Sequence, residues 1–145
     1  ENVPEPRSVD CGSCELAQFG TAKRGKGPAC KTYRKLMFVP SDTTAEDMGK
    51  AELGYLKVSP TSVKNWQKYV QSLVGSNGLP PWAAITKIKV VPDKKTIHQV
   101  LFEGVGPIQD EELLAAIHGR IPEAERMLLQ PYTYEDEVED GDAKY

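Results

Sequence analysis

The chain has 145 residues, enough for one domain with a real hydrophobic core and too few for two ordinary ones. Hydrophobic residues make up 39% and charged residues 27%, the balance of a globular chain, and no apolar run approaches the ~20 residues of a membrane span. The formal net charge of −3 conceals a segregation: residues 132–145 hold six acids against one lysine, a net −5, whereas the other 131 residues hold 15 acids against 17 bases, a net +2.

In chain order, residues 1–10 are Pro-rich and read as extended, with neither the pattern of a signal peptide nor that of a basic arm. The cytoplasm is the expected compartment. Residues 11–31 read as an irregular Gly- and Lys-rich loop. It opens on a Cys-x-x-Cys, Cys11 and Cys14, with Cys30 after fifteen intervening residues. Two thiolates two residues apart reach one tetrahedral ion, so Cys11, Cys14 and Cys30 are expected to hold zinc. The fourth ligand is left open among Asp10, His98, His118 and a residue upstream. The competing reading is three unrelated cysteines.

Residues 36–39 and 53–58 read as strands, joined by a polar connection over 41–51, with a third strand expected within 39–52 or earlier. A helix is expected over 60–74, capped by Ser59, begun by Pro60 and ended by Gly75, with Val63, Trp66, Val70, Leu73 and Val74 on its buried face. Residues 82–91 and 96–102 read as a β-hairpin with a basic turn, and 110–118 and 122–130 as two short helices. The order strand, strand, helix, strand, strand fits a mainly β (α+β) fold, an OB-like five-stranded barrel with its helix before the last hairpin. The alternative is an α+β sandwich of one antiparallel sheet with helices on one face.

The stretch CGSCELAQFGTA at 11–22, then GKGPACK at 25–31 and Arg34-Lys-Leu-Met-Phe38, resembles a family of bacteriophage and prophage proteins. Members share the Cys-x-x-Cys, a following Phe/Trp-Gly, a Gly-x-Gly-x-Ala-Cys-Lys and an Arg-led strand. The segment Pro60-Thr-Ser-Val-Lys64 is similar to another of its motifs, and the likeness spans about residues 11–105. The resemblance implies a single-stranded DNA-binding or replication-associated protein in an infected bacterial cell.

The residues point the same way by chemistry. Binding single strands needs cations along the backbone path and flat rings for stacked bases. The expected set is Phe19, Lys23, Arg24, Lys26, Lys31, Tyr33, Arg34 and Lys35 in and after the loop, Tyr55 and Lys57 on the next strand, and Trp82, Lys87, Lys89, Lys94 and Lys95 on the hairpin. Residues 1–131 then form one nucleic-acid-binding domain, with a zinc loop at 11–35. Residues 132–145 are expected to be an acidic disordered tail that either occupies the basic groove until DNA displaces it or recruits replication or recombination proteins. Homo-oligomers are compatible with this. The alternative function is a zinc-stabilised interaction module, such as a phage factor bound to a host polymerase. No Ser/His/Asp arrangement, phosphate loop or spaced pair of carboxylates stands out, so no catalysis is expected.

Overall fold

A computed structural model describes residues 8–23 and 25–130. They fall into two compact units, residues 8–31 with 129–130, and residues 32–128. The expected acidic tail at 132–145 and Arg24 lie outside the described residues.

The first unit is a loop closed on itself by backbone hydrogen bonds. Among its described residues a single 3-10 turn, Glu15–Ala17, is the one regular element. The Cys30 N–H donates to the Leu16 carbonyl at 2.7 Å, and the Gly20 N–H donates to the Lys26 carbonyl at 3.0 Å. Thr21 Oγ1 donates to the Gln18 carbonyl and accepts from the Ala29 N–H, joining the two limbs.

The second unit runs β1 (Arg34–Phe38), β2 (Gly54–Val58), α1 (Val63–Asn77), a 3-10 turn (Pro81–Ala83), β3 (Ala84–Asp93), β4 (Ile97–Pro107) and α2 (Glu111–Leu128). Antiparallel β1 and β2 form one sheet and antiparallel β3 and β4 another; no strand pairs across the two among the described residues. The five-stranded barrel expected from element order is therefore corrected to two separate two-stranded sheets with two helices, and the single sheet of the alternative is absent as well. A barrel closes only when edges of its sheets pair with one another. Here the outer edge of β4 is engaged by α1 instead: the Val100 N–H donates to Ser62 Oγ at 2.9 Å, and Asn65 Nδ2 donates to the Val100 carbonyl at 3.0 Å.

The third strand expected within 39–52 is a series of turns. Asp47 and Thr44 bond one another through side chain and backbone, and the turns bury Met48 at 1% exposure. Arg120 of α2 locks this segment, donating to the carbonyls of Met48 and Ala51 while its Nε pairs with Glu123.

Helix α1 begins later than its Ser59–Pro60 signal, after a turn in which the Ser62 and Val63 amides both donate to the Ser59 carbonyl. It passes through Gly75 and ends at Gly78, whose φ of 63° is the left-handed conformation that glycine adopts without a Cβ clash. Its buried stripe is Ser62, Tyr69 and Leu73, with Trp66 half-buried, while Val74 is exposed. Trp66 and Tyr69 enclose Phe102 of β4, with ring centroids 5.1 and 6.1 Å away. Ala83 and Val100 extend this core, and Val58 of β2 is fully buried.

The two helices expected at the C-terminal end are one, α2, with Pro122 inside it. The proline deprives the His118 carbonyl of its helical donor, and the helix continues regardless. Asp110 caps its start, accepting the Glu112 and Leu113 amides on Oδ1. No helix among the described residues is long and apolar enough to cross a membrane.

Candidate functional site

The hairpin ladder runs without interruption from Thr86↔Gly104 to Asp93↔Ile97, with a bulge between Ile85 and Thr86. Residues paired across an antiparallel ladder share a face. Tyr69 Oη bonds Thr86 Oγ1 and its ring stacks on Phe102, so Thr86, Ile88 and Val90 face the α1 side. Lys87, Lys89 and Val91, with their partners Glu103, Leu101 and Gln99, face the other side.

The phase of the ladder follows from one residue. Val100 gives its N–H to Ser62, so Val90↔Val100 is a pair that does not exchange ladder hydrogen bonds. Alternation extends this to Thr86↔Gly104, Ile88↔Phe102 and Pro92↔His98. Pro92 lacks an N–H and sits at a position where the ladder needs none, the one strand-interior place that tolerates proline.

On β3 the backbone groups of Thr86, Ile88 and Val90 thus turn outward, away from β4. The backbone hydrogen bonds beyond the ladders, among the described residues, include none from these three. Helix α1 packs on β4, so the side chains of the α1 face next to β3 stay uncovered: Ile88 is 40% exposed and Val90 67%. On the other face Lys89 Nζ meets Glu103 Oε2 at 2.5 Å, and Lys89 with neighbouring Lys87 holds the Glu103 carboxyl below the ordinary range. At the turn, the hydroxyl and amide of Thr96, chiefly, keep Asp93 in its charged form to lower pH than usual.

The residues expected to bind nucleic acid occupy several places. Phe19, Lys23, Lys26 and Lys31 are exposed on the first unit. In β1–β2, Lys35 lies directly across from Lys57, whose ammonium stands 4.6 Å above the Tyr33 ring; Met37↔Tyr55 is the other pair on that face. Arg34 pairs with Val58 on the opposite face. Trp82 packs edge-on against His118, with centroids 5.4 Å apart. Lys87 and Lys89 share a face of the hairpin, and Lys94 and Lys95 lie in its turn.

The zinc site is corrected. Among the described residues no three His, Cys, Asp or Glu side chains come together to hold a metal. Cys11 and Cys30 are exposed and Cys14 half-buried, and no disulfide joins them. Asp10, a candidate fourth ligand, instead accepts the Ser13 amide at 2.8 Å and the Ser13 hydroxyl at 2.9 Å. His98 and His118 belong to β4 and α2 of the other unit.

The chain matches no family model, no curated protein and no solved structure. The resemblance to the phage family is corrected accordingly. With neither barrel nor metal cluster among the described residues, the mechanism expected for single-stranded DNA binding has no structural basis, nor do the zinc-stabilised module and the replication partners and oligomers that went with it.

The open edge of β3 was not singled out in the sequence. Its one written signal is Pro92 inside a run of alternating residues, which marks an unpaired side of a strand.

Proposed function

We propose that this chain is a non-catalytic protein-binding module that takes an extended segment of a partner protein onto the outer edge of β3 by strand addition. One observation carries the reading: Thr86, Ile88 and Val90 turn unpaired backbone groups outward, beside the exposed side chains of Ile88 and Val90. An edge of this kind supplies main-chain hydrogen bonds to a partner strand, and flanking side chains select among partners. The other edge is less available, because Ser62 and Asn65 engage it at Val100. The absence from the sequence of a recognisable nucleophile–base pair or phosphate loop supports the non-catalytic part.

The test is Val90→Pro. The Val90 amide lies outside the ladder, as the missing amide of Pro92 does, so the variant is expected to keep the wild-type circular dichroism spectrum. In an NMR titration of the full chain with ten-residue peptides that alternate valine with polar residues, the Thr86, Ile88 and Val90 amides are expected to shift. Val90→Pro is expected to weaken binding at least tenfold. Undiminished binding by the folded variant, or shifts confined to other elements, would overturn the proposal.

A further inference from the structure

We infer that the segment received by β3 is acidic at alternate positions, with Glu or Asp beside Lys87 and Lys89 and apolar residues beside Ile88 and Val90. This deepens the strand-addition reading and rests on it. A strand laid along β3 continues both faces of the hairpin, because side chains alternate with period two. On one face its residues would lie against Ile88 and Val90, which are 40% and 67% exposed. On the other they would lie against Lys87 and Lys89.

The charge of that second face is unbalanced where the strand would lie. Lys87 is directly across from Glu103, and Lys89 reaches the same carboxylate at 2.5 Å, so two cations share one anion. Asp93, the other acid on the face, is engaged by Thr96 in the turn, beside Lys94 and Lys95. A partner carboxylate would meet the surplus cation, and cross-strand pairs of opposite charge stabilise a sheet.

The same lysines discriminate against a second copy of this chain. The antiparallel register that engages Thr86, Ile88 and Val90 of two copies sets Ile88 opposite Ile88, and therefore Lys87 of each opposite Lys89 of the other. Like charges in that position are destabilising. Sliding the register toward the turn to relieve this brings Pro92 into a position that needs a donor, which it lacks, and sliding it the other way confines the pairing to residues 84–88, across the bulge between Ile85 and Thr86. Edge lysines also serve simply to keep other strands away; that bland role predicts no preference for acidic strands, and the experiment separates the two.

Three synthetic ten-residue peptides, alternating Val with Glu, Ser or Lys, are titrated by fluorescence anisotropy into the full chain at low and moderate salt. The Glu peptide is expected to bind severalfold tighter than the Ser peptide, the Lys peptide weakest, with the differences shrinking as salt rises. Lys87→Glu with Lys89→Glu is expected to reverse the order, and Lys87→Gln with Lys89→Gln, which spares Glu103 two new like charges, to level it. Equal affinity for all three peptides, abolished by Val90→Pro, would overturn the charge inference and leave strand addition standing. Tight Glu-peptide binding unaffected by Val90→Pro would overturn strand addition itself. Concentration-dependent dimers that protect the β3 amides would make a second copy the occupant and overturn the inference.

Discussion

Ile97 has a φ of 70°, in the left-handed region, where a β-branched side chain crowds its own backbone. It is the first residue of β4, directly after a turn in which Asp93 Oδ2 accepts the Lys95 and Thr96 amides and the Thr96 hydroxyl. Those bonds hold the chain in a path that Ile97 must complete, and its side chain is exposed, so no packing compensates. Ile97→Asn is therefore expected to raise stability by about 1 kcal/mol, since asparagine tolerates this conformation without glycine's added chain entropy. Urea unfolding at neutral pH checks it; a lowered midpoint would show that the isoleucine side chain contributes in a way its exposure hides. The turn was legible in Pro92-Asp-Lys-Lys95, because proline and aspartate punctuate strands. The strained residue was not, because isoleucine is ordinarily the signature of a strand and says nothing about a left-handed start.

At the scale of elements, α1 and the hairpin are one packed unit, and Ser62 is their joint. Its hydroxyl is fully buried and accepts the Val100 N–H, itself almost inaccessible to water. Ser62→Ala leaves that amide buried without an acceptor and is expected to cost about 1–3 kcal/mol in urea unfolding. A loss under half a kcal/mol would mean that water reaches Val100. The helix was readable from its apolar spacing, and its start was misplaced for a physical reason. Ser59-Pro60 is a strong initiation signal, whereas Ser62 directs its side chain to a strand and makes no side-chain cap bond. The hairpin was readable too. Its alternation looks imperfect because Ile85 falls in phase with Lys87 and Lys89 rather than with Ile88 and Val90; it lies beside the bulge, whose extra residue is Val105 of β4. Pro122 misled in the other direction: a signal that often opens a helix sits in the interior of α2.

For the whole molecule, the order of the four strands and α1 was legible, and whether the two strand pairs join into one sheet was not. Strand, strand, helix, strand, strand describes a barrel and two independent hairpins equally well, and the choice depends on which edges meet. That depends in turn on a long-range bond, Ser62 to Val100, for which no local residue pattern exists. The cations were equally legible as a list, yet the fold distributes them over a closed loop, two sheets and a turn. Among the described residues, only Lys35 with Lys57, and Lys87 with Lys89, become neighbours on a sheet face. The three cysteines had a metal-like spacing, and spacing alone does not make a loop converge. Arg120, which ties α2 to the buried Met48 segment, had no signal at all, since its partners are backbone carbonyls some seventy residues away.

The outward phase of β3 also sets how fast its amides trade hydrogen for deuterium. By the phase of the ladder, the amides of Lys87, Lys89 and Val91 donate to β4, and those of Thr86, Ile88 and Val90 turn away from it in the middle of the same strand. Dissolving the full chain in heavy water should produce a two-speed pattern, with every second β3 amide lost early and its neighbours retained until the hairpin opens. The Val100 amide should be among the last, because its release requires α1 to leave β4. Successive NMR spectra read this directly. Uniformly slow exchange along β3 would show instead that something already covers the edge in solution.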